Sequence, residues 1–203
     1  MFNRIIILCS VFFLSLTPVV AEKSPEAEAF VMDVSNQVIE ILNLTTAKEK
    51  EDEFRVLLNN KANLKRIAAF TLGKYRHQLS PTELQEFQSL FETMITKVYA
   101  NRLGSYEDQK IVVLGSEKKK KDYLVETELR FNDGSDPIAI VWRLRQEKDG
   151  RITLFDLRVL GIWMALEQRE TFLSILKNNN EDFNVLLDNL RQQISAGSTV
   201  TSD

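Results

Sequence analysis

The hydrophobic period of this chain changes twice, and that limits its fold more than any other feature. Between Lys110 and Val159 apolar side chains recur at every second position; on either side they recur every third or fourth. A period of two belongs to half-buried strands, and one near 3.6 to helices packed on one face. Helices, then a meander, then helices again imply an α+β fold: one curved antiparallel sheet of four or five strands with helices packed on it.

Within the alternating stretch, Lys110 to Leu114 reads as a first strand and Gly115 to Lys121 as a turn carrying four lysines, Lys118 to Lys121. Tyr123, Val125, Thr127, Leu129 and Phe131 alternate with Leu124, Glu126, Glu128 and Arg130. Asn132-Asp133-Gly134-Ser135 is a hairpin turn. Ile138, Ile140, Trp142 and Leu144 alternate with Ala139, Val141, Arg143 and Arg145. After a second turn, Thr153, Phe155, Leu157 and Val159 alternate with Leu154, Asp156 and Arg158, which predicts that Asp156 faces away from the core.

The clearest helix start is Ser80-Pro81 with Glu83, a capping box with proline at the first helical position. Leu84, Phe87, Leu90, Phe91, Met94, Ile95, Val98 and Tyr99 then form one broad face without an ionisable group, on a helix ending near Leu103-Gly104. Three shorter helices are expected before it: Ala29–Leu44, a second opening in the charged stretch Lys48–Glu53, and Asn63–Leu72, stopped by Gly73. Helix resumes after Gly161, breaks at Asn178-Asn179-Asn180, and ends with Phe183, Leu186, Leu187 and Leu190. Residues 22–28 are expected to fray and 195–203 to form a disordered tail.

The first 21 residues read as a cleaved secretory signal: Asn3-Arg4, an apolar run from Ile5 to Leu16, and Val19-Val20-Ala21. The chain's one cysteine, Cys9, falls inside it. An exported domain over 22–194, without disulfide or thiolate chemistry, must then be stabilised by packing. The formal net charge of −3 argues against nucleic acid as a partner. No GxSxG, HExxH, GxGxxG, P-loop or CxxC pattern is present. The single histidine, His77, lies in a polar loop, so neither a transition-metal site nor a cofactor is expected.

An ordered set of short pieces resembles a known family. They are Phe70-Thr71-Leu72-Gly73-Lys74-Tyr75, Ser80-Pro81, Phe87, Phe91, Tyr99-Ala100-Asn101-Arg102-Leu103, Trp142-Arg143-Leu144, Asp156-Leu157 with Gly161, and Gln168-Arg169 with Phe172. In order, from about residue 29 to 193, they resemble the MlaC family, also called the toluene-tolerance or periplasmic phospholipid-binding family. The resemblance implies an NTF2-like cone enclosing an apolar pocket. It implies a periplasmic, non-enzymatic, monomeric carrier of glycerophospholipid. Such carriers shuttle lipid between an outer-membrane lipoprotein complex and the MCE-domain subunit of an inner-membrane ABC transporter, maintaining outer-membrane lipid asymmetry. A hopanoid-associated branch of the family widens the cargo. The family has no catalytic residues to transfer.

The physics suits a carrier. Exposing an acyl chain costs about 0.8 kcal/mol per CH₂, so two ordinary chains cost on the order of 20 kcal/mol in water. The residues expected to line a pocket are Phe87, Phe91, Ile95, Val98 and Tyr99 from the long helix, Ile140, Trp142 and Leu144 from the sheet, and Ile162, Trp163 and Leu166 after Gly161. Arg102 and Arg143 are the candidates for a lipid phosphate, and Lys118–Lys121 for an anionic surface. Two other readings compete: an isomerase or dehydratase built on the same cone around Asp156, and an adaptor whose apolar faces close into a solid core.

Overall fold

The computed structural model describes residues 23–103 and 109–199, with side chains at 101–103 and 197–199 outside the description. The expected leader, Cys9 and the side chain of Arg102 therefore lie outside the described residues. Among the described residues, six α-helices and five strands follow in the order α1 (Pro25–Leu42), α2 (Ala47–Lys61), α3 (Leu64–Leu72), α4 (Pro81–Leu103), β1 (Lys110–Lys119), β2 (Asp122–Arg130), β3 (Ile138–Gln146), β4 (Ile152–Val159), β5 (Ile162–Trp163), α5 (Met164–Asn178) and α6 (Phe183–Thr199), with a 3-10 turn over Gly73–His77 after α3. The strands form one antiparallel sheet in sequence order, the α+β architecture that the two changes of period predict.

Side-chain caps set the helix starts. Thr46 and Glu49 form a full capping box at α2, Asn63 accepts from Arg66 N at α3, and the Ser80 hydroxyl accepts from Glu83 N at α4. At α1 the cap is Ser24, buried, with Pro25 beside it. The helix thus starts four residues before Ala29, and Pro25–Glu28 are ordered rather than frayed, because Ala27 is fully buried against the sheet. At the other end α6 runs to Thr199, into the stretch expected to be a tail.

Two β-bulges decide which way the sheet's side chains point. In β1 the register shifts between Val113 and Gly115, leaving Leu114 exposed. The bulge lets the strand continue to Lys119, so Lys118 and Lys119 pair with Tyr123 and Asp122 and only Lys120 and Lys121 make the turn. In β4, Arg143 pairs with Asp156 but Leu144 pairs with Leu154, so Phe155 is the extra residue. Alternation breaks there. Leu154 and Leu157 share the α1 side, while Phe155 and Asp156 both turn to the opposite side. Asp156 keeps the phase that alternation with Leu157 gives it, on the face away from the sheet core, but α5 covers that face and buries it.

Among the described residues, apolar side chains gather in three cores. The sheet core holds Ala27, Val31 and Val34 of α1 against Tyr123, Val125, Trp142 and Leu144. The helical core holds Phe87, Phe91 and Met94 of α4 with Phe172, Leu176, Leu186, Leu187 and Leu190. Phe87 meets Phe172 edge-on, ring centroids 5.6 Å apart, and Phe91 at 6.0 Å. A smaller core joins Ile41, Phe54, Leu57 and Ala100. The α3–α5 contact is locked by Arg169, whose guanidinium lies 5.0 Å from the Phe70 ring centroid and donates to the Phe70 carbonyl at 3.3 Å. Gly73, at φ 57, leaves room for that guanidinium: a Cβ there would sit 3.1 Å from it.

Candidate functional site

The long face of α4 packs chiefly on the other helices. Phe87 and Phe91 are sealed among α3, α5 and α6, with Ile95 and Val98 packed against the same cluster. Ile140, Trp142 and Leu144 belong to the sheet core under α1. The structure therefore separates two groups that the sequence reading places opposite each other. The helical repeat identified the faces; the pairing of α4 with α6 was not visible, since both stripes are equally apolar.

The remaining candidates divide likewise. Tyr99 packs on the small core beside Ile41, Phe54, Leu57 and Ala100. Ile162 and Leu166 are exposed, and Trp163 lies half-buried. Arg143 points to the sheet face opposite Trp142, where its Nε donates to Asp122 at 2.7 Å while Arg145 Nε donates to the other carboxylate oxygen at 2.6 Å. Burial opposes ionisation of Asp122, but the hydrogen bonds from Arg145 and Arg143 outweigh it and hold the carboxyl below its usual range.

Between the sheet core and the small helical core runs a seam of half-buried apolar side chains. Val38 of α1 packs against both. Around it Phe30, Ile111, Val113, Ile140 and Leu157 pack on the sheet core, and Tyr99 and Leu58 on the small core, yet all remain half-buried. The wall behind them is rigid: Trp142 Nε1 donates to Thr127 Oγ1 at 3.0 Å, and that hydroxyl donates to the Ile140 carbonyl at 3.2 Å. Trp142 thus keeps its polar tip satisfied while presenting an apolar body. Near the α2–α4 contact, one turn before Ala100, the fully buried Thr96 hydroxyl has no hydrogen-bond partner. Phe30, Val38, Ile111 and Val113 were not singled out from sequence. Their periodicity was legible, but half-burial is a property of the packed chain.

The acid–base groups are used structurally. Burial raises the Asp156 carboxyl above its usual range, partly offset by backbone N–H donors. Its Oδ1 accepts from Leu157 N and Ala165 N, both at 2.8 Å, which caps the start of α5 where the local N-cap, Trp163, offers no side-chain acceptor. His77 is exposed and accepts from Arg76 Nε at 3.1 Å. No group of three or more metal-ligating side chains occurs among the described residues, and no described helix is long and apolar enough to cross a membrane.

Comparison with known proteins agrees with this architecture. The chain is 24% identical over 193 residues, 90% of its length and 88% of the relative's, to the intermembrane phospholipid transport system binding protein MlaC of Haemophilus influenzae. The solved structure of the phospholipid-binding protein from Ralstonia solanacearum, in complex with a phospholipid, superposes with a TM-score of 0.74 at 17% identity, covering 85% of this chain and 99% of that one. The family described as MlaC protein matches residues 32–192, most of the folded chain, and the protein therefore belongs to the MlaC family.

Proposed function

We propose that this protein carries a phospholipid through water, holding its acyl chains along the seam between the sheet core and the small helical core. The observation that carries this reading is the set of half-buried apolar side chains, Phe30, Val38, Ile111, Val113 and Ile140, packed on the sheet core where Val38 joins it to the small helical core, in a member of this family. Separation of the cores there would admit acyl chains without breaking a backbone hydrogen-bonded ladder. The printed names of the Haemophilus and Ralstonia proteins, phospholipid transport and phospholipid binding, support the cargo class.

On this reading the chain is exported to the periplasm after loss of residues 1–21. It works as a monomer without cofactor or catalysis. It exchanges lipid between an outer-membrane lipoprotein complex and the MCE-domain subunit of an inner-membrane ABC transporter, and so maintains outer-membrane lipid asymmetry. Native mass spectrometry of protein purified from its host cells tests the cargo. A glycerophospholipid mass adduct is expected; a hopanoid adduct would redirect the cargo, and bare protein alone would refute carriage. Ile140→Glu, placing a charge on the seam, should abolish the adduct with little change in far-UV circular dichroism. Loss of fold and adduct together would make Ile140 a core residue instead.

A further inference from the structure

Side chains directly opposite one another in an antiparallel sheet point to the same face. One such row crosses all five strands: Val113 pairs with Thr127, Thr127 with Ile140, Ile140 with Val159, and Val159 with Ile162. It lies on the α1 side, because Val113 and Ile140 pack on the sheet core. The one hydroxyl in it, on Thr127, accepts from Trp142 Nε1 and donates to the Ile140 carbonyl, so no side-chain polar group of the row is left unsatisfied. A second contact fixes the phase of β5. Trp163 pairs with Arg158 on the opposite face, where the guanidinium lies 5.4 Å from the indole ring centroid.

Cover thins along this face. In the neighbouring row Val125 and Trp142 are buried, whereas Val113, Ile140 and Val159 are half-buried and Ile162 is 50% exposed. Helix α1 meets the sheet chiefly at β1 and β2, away from the β4–β5 end. Five strands spaced about 4.8 Å apart make the row about 19 Å long. A bilayer hydrocarbon core of about 30 Å holds two acyl chains end to end, so one chain needs about 15 Å. The row is therefore long enough to bed one chain.

The turn at the open end is built at the expense of local stability. Leu160 and Gly161 link Val159 to Ile162 with φ 50 and φ 86. Two consecutive positive φ values suit Asn-Gly, and a leucine there is strained. At 73% exposure Leu160 recovers little by packing within the chain. Backbone strain of this kind clusters where a ligand is clamped.

We propose that one acyl chain of the cargo crosses the sheet along this row and is held at the open end by Ile162 and Leu160. The proposal rests on the carriage reading and adds to it the course of the chain. The occupant is an acyl chain rather than a partner surface, because Ile162 shares its row and its face with the seam residues Val113 and Ile140. The test uses delipidated protein loaded from vesicles of palmitoyl-oleoyl phosphatidylethanolamine. Photoreactive benzoylphenylalanine replaces Ile162 or, as a control of like exposure on α2, Val56, which is 52% exposed. Irradiation should attach the lipid covalently at position 162 and not at 56, read by mass spectrometry. Ile162→Asn should lower the partition of lipid from vesicle to protein about fivefold, since half of that side chain remains to be covered. Leu160→Asn should raise the thermal midpoint of the lipid-free protein while lowering the same partition. A structural role alone would not set those two readouts against each other. No attachment at 162 in protein that native mass spectrometry shows to be loaded, equal attachment at 56, or unchanged partition in either variant would overturn the proposal and leave carriage standing. Protein that takes up no lipid at all would overturn both.

Discussion

Asp156 gives the sharpest test of how the sheet and α5 are joined. The carboxylate is 6% exposed, and one oxygen accepts from two backbone amides, Leu157 N and Ala165 N, each at 2.8 Å. Asp156→Ala removes that acceptor and admits little water. Leaving a buried N–H unpaired costs about 1–3 kcal/mol, and a lost helix cap about 0.5–2 kcal/mol. Against this stands release of a carboxylate that burial disfavours. The net loss should be about 2 kcal/mol, or about 4–8 °C in thermal midpoint at 2–4 °C per kcal/mol for a domain of this size. Asp156→Asn keeps an acceptor oxygen and should lose under about 1 kcal/mol. The pH dependence carries a sign. Because the folded carboxyl titrates above its unfolded value, the cost of burying its charge is complete at neutral pH. That cost fades as pH falls through the folded pKa toward the ordinary Asp range. Wild type should therefore gain on Asp156→Asn as pH drops from 7 into that window, in urea unfolding at each pH. If Asp156→Ala proves as stable as Asp156→Asn, or the wild-type advantage shrinks on acidification, the capping account is wrong.

Two further outcomes follow from the same reasoning. Asp122, held low by Arg145 and Arg143, contributes stability above the unfolded carboxylate pKa and loses it as pH falls through its depressed folded value. Asp122→Asn should cost about 1–3 kcal/mol at neutral pH, less than a fully buried pair because both guanidiniums reach solvent, and the difference from wild type should vanish in acid. Thr96→Val, which removes the unpaired buried hydroxyl while keeping the side-chain shape, should stabilise the protein by about 1 kcal/mol in denaturant titration.

What the sequence alone determined was everything governed by local period and local chemistry. The runs around Phe87–Val98 and Tyr123–Leu129, the Ser80–Glu83 box and the glycine after Leu72 specify helix, strand, start and stop through near-neighbour geometry, and the ordered motifs carried the family. Tertiary structure decided which apolar faces meet. The α4 stripe and the Ile140–Leu144 stripe are both greasy enough to pair, but chain connectivity gave one to α6 and the other to α1. It also decided where alternation fails: one extra residue at Phe155 puts that ring on the same side as Asp156, against Phe70, and one near Leu114 carries the lysines into the strand. Period fixes a side chain's phase within its own element. The partner of each face, and the seam left between two cores, depend on contacts between residues far apart in the chain, which no local pattern encodes.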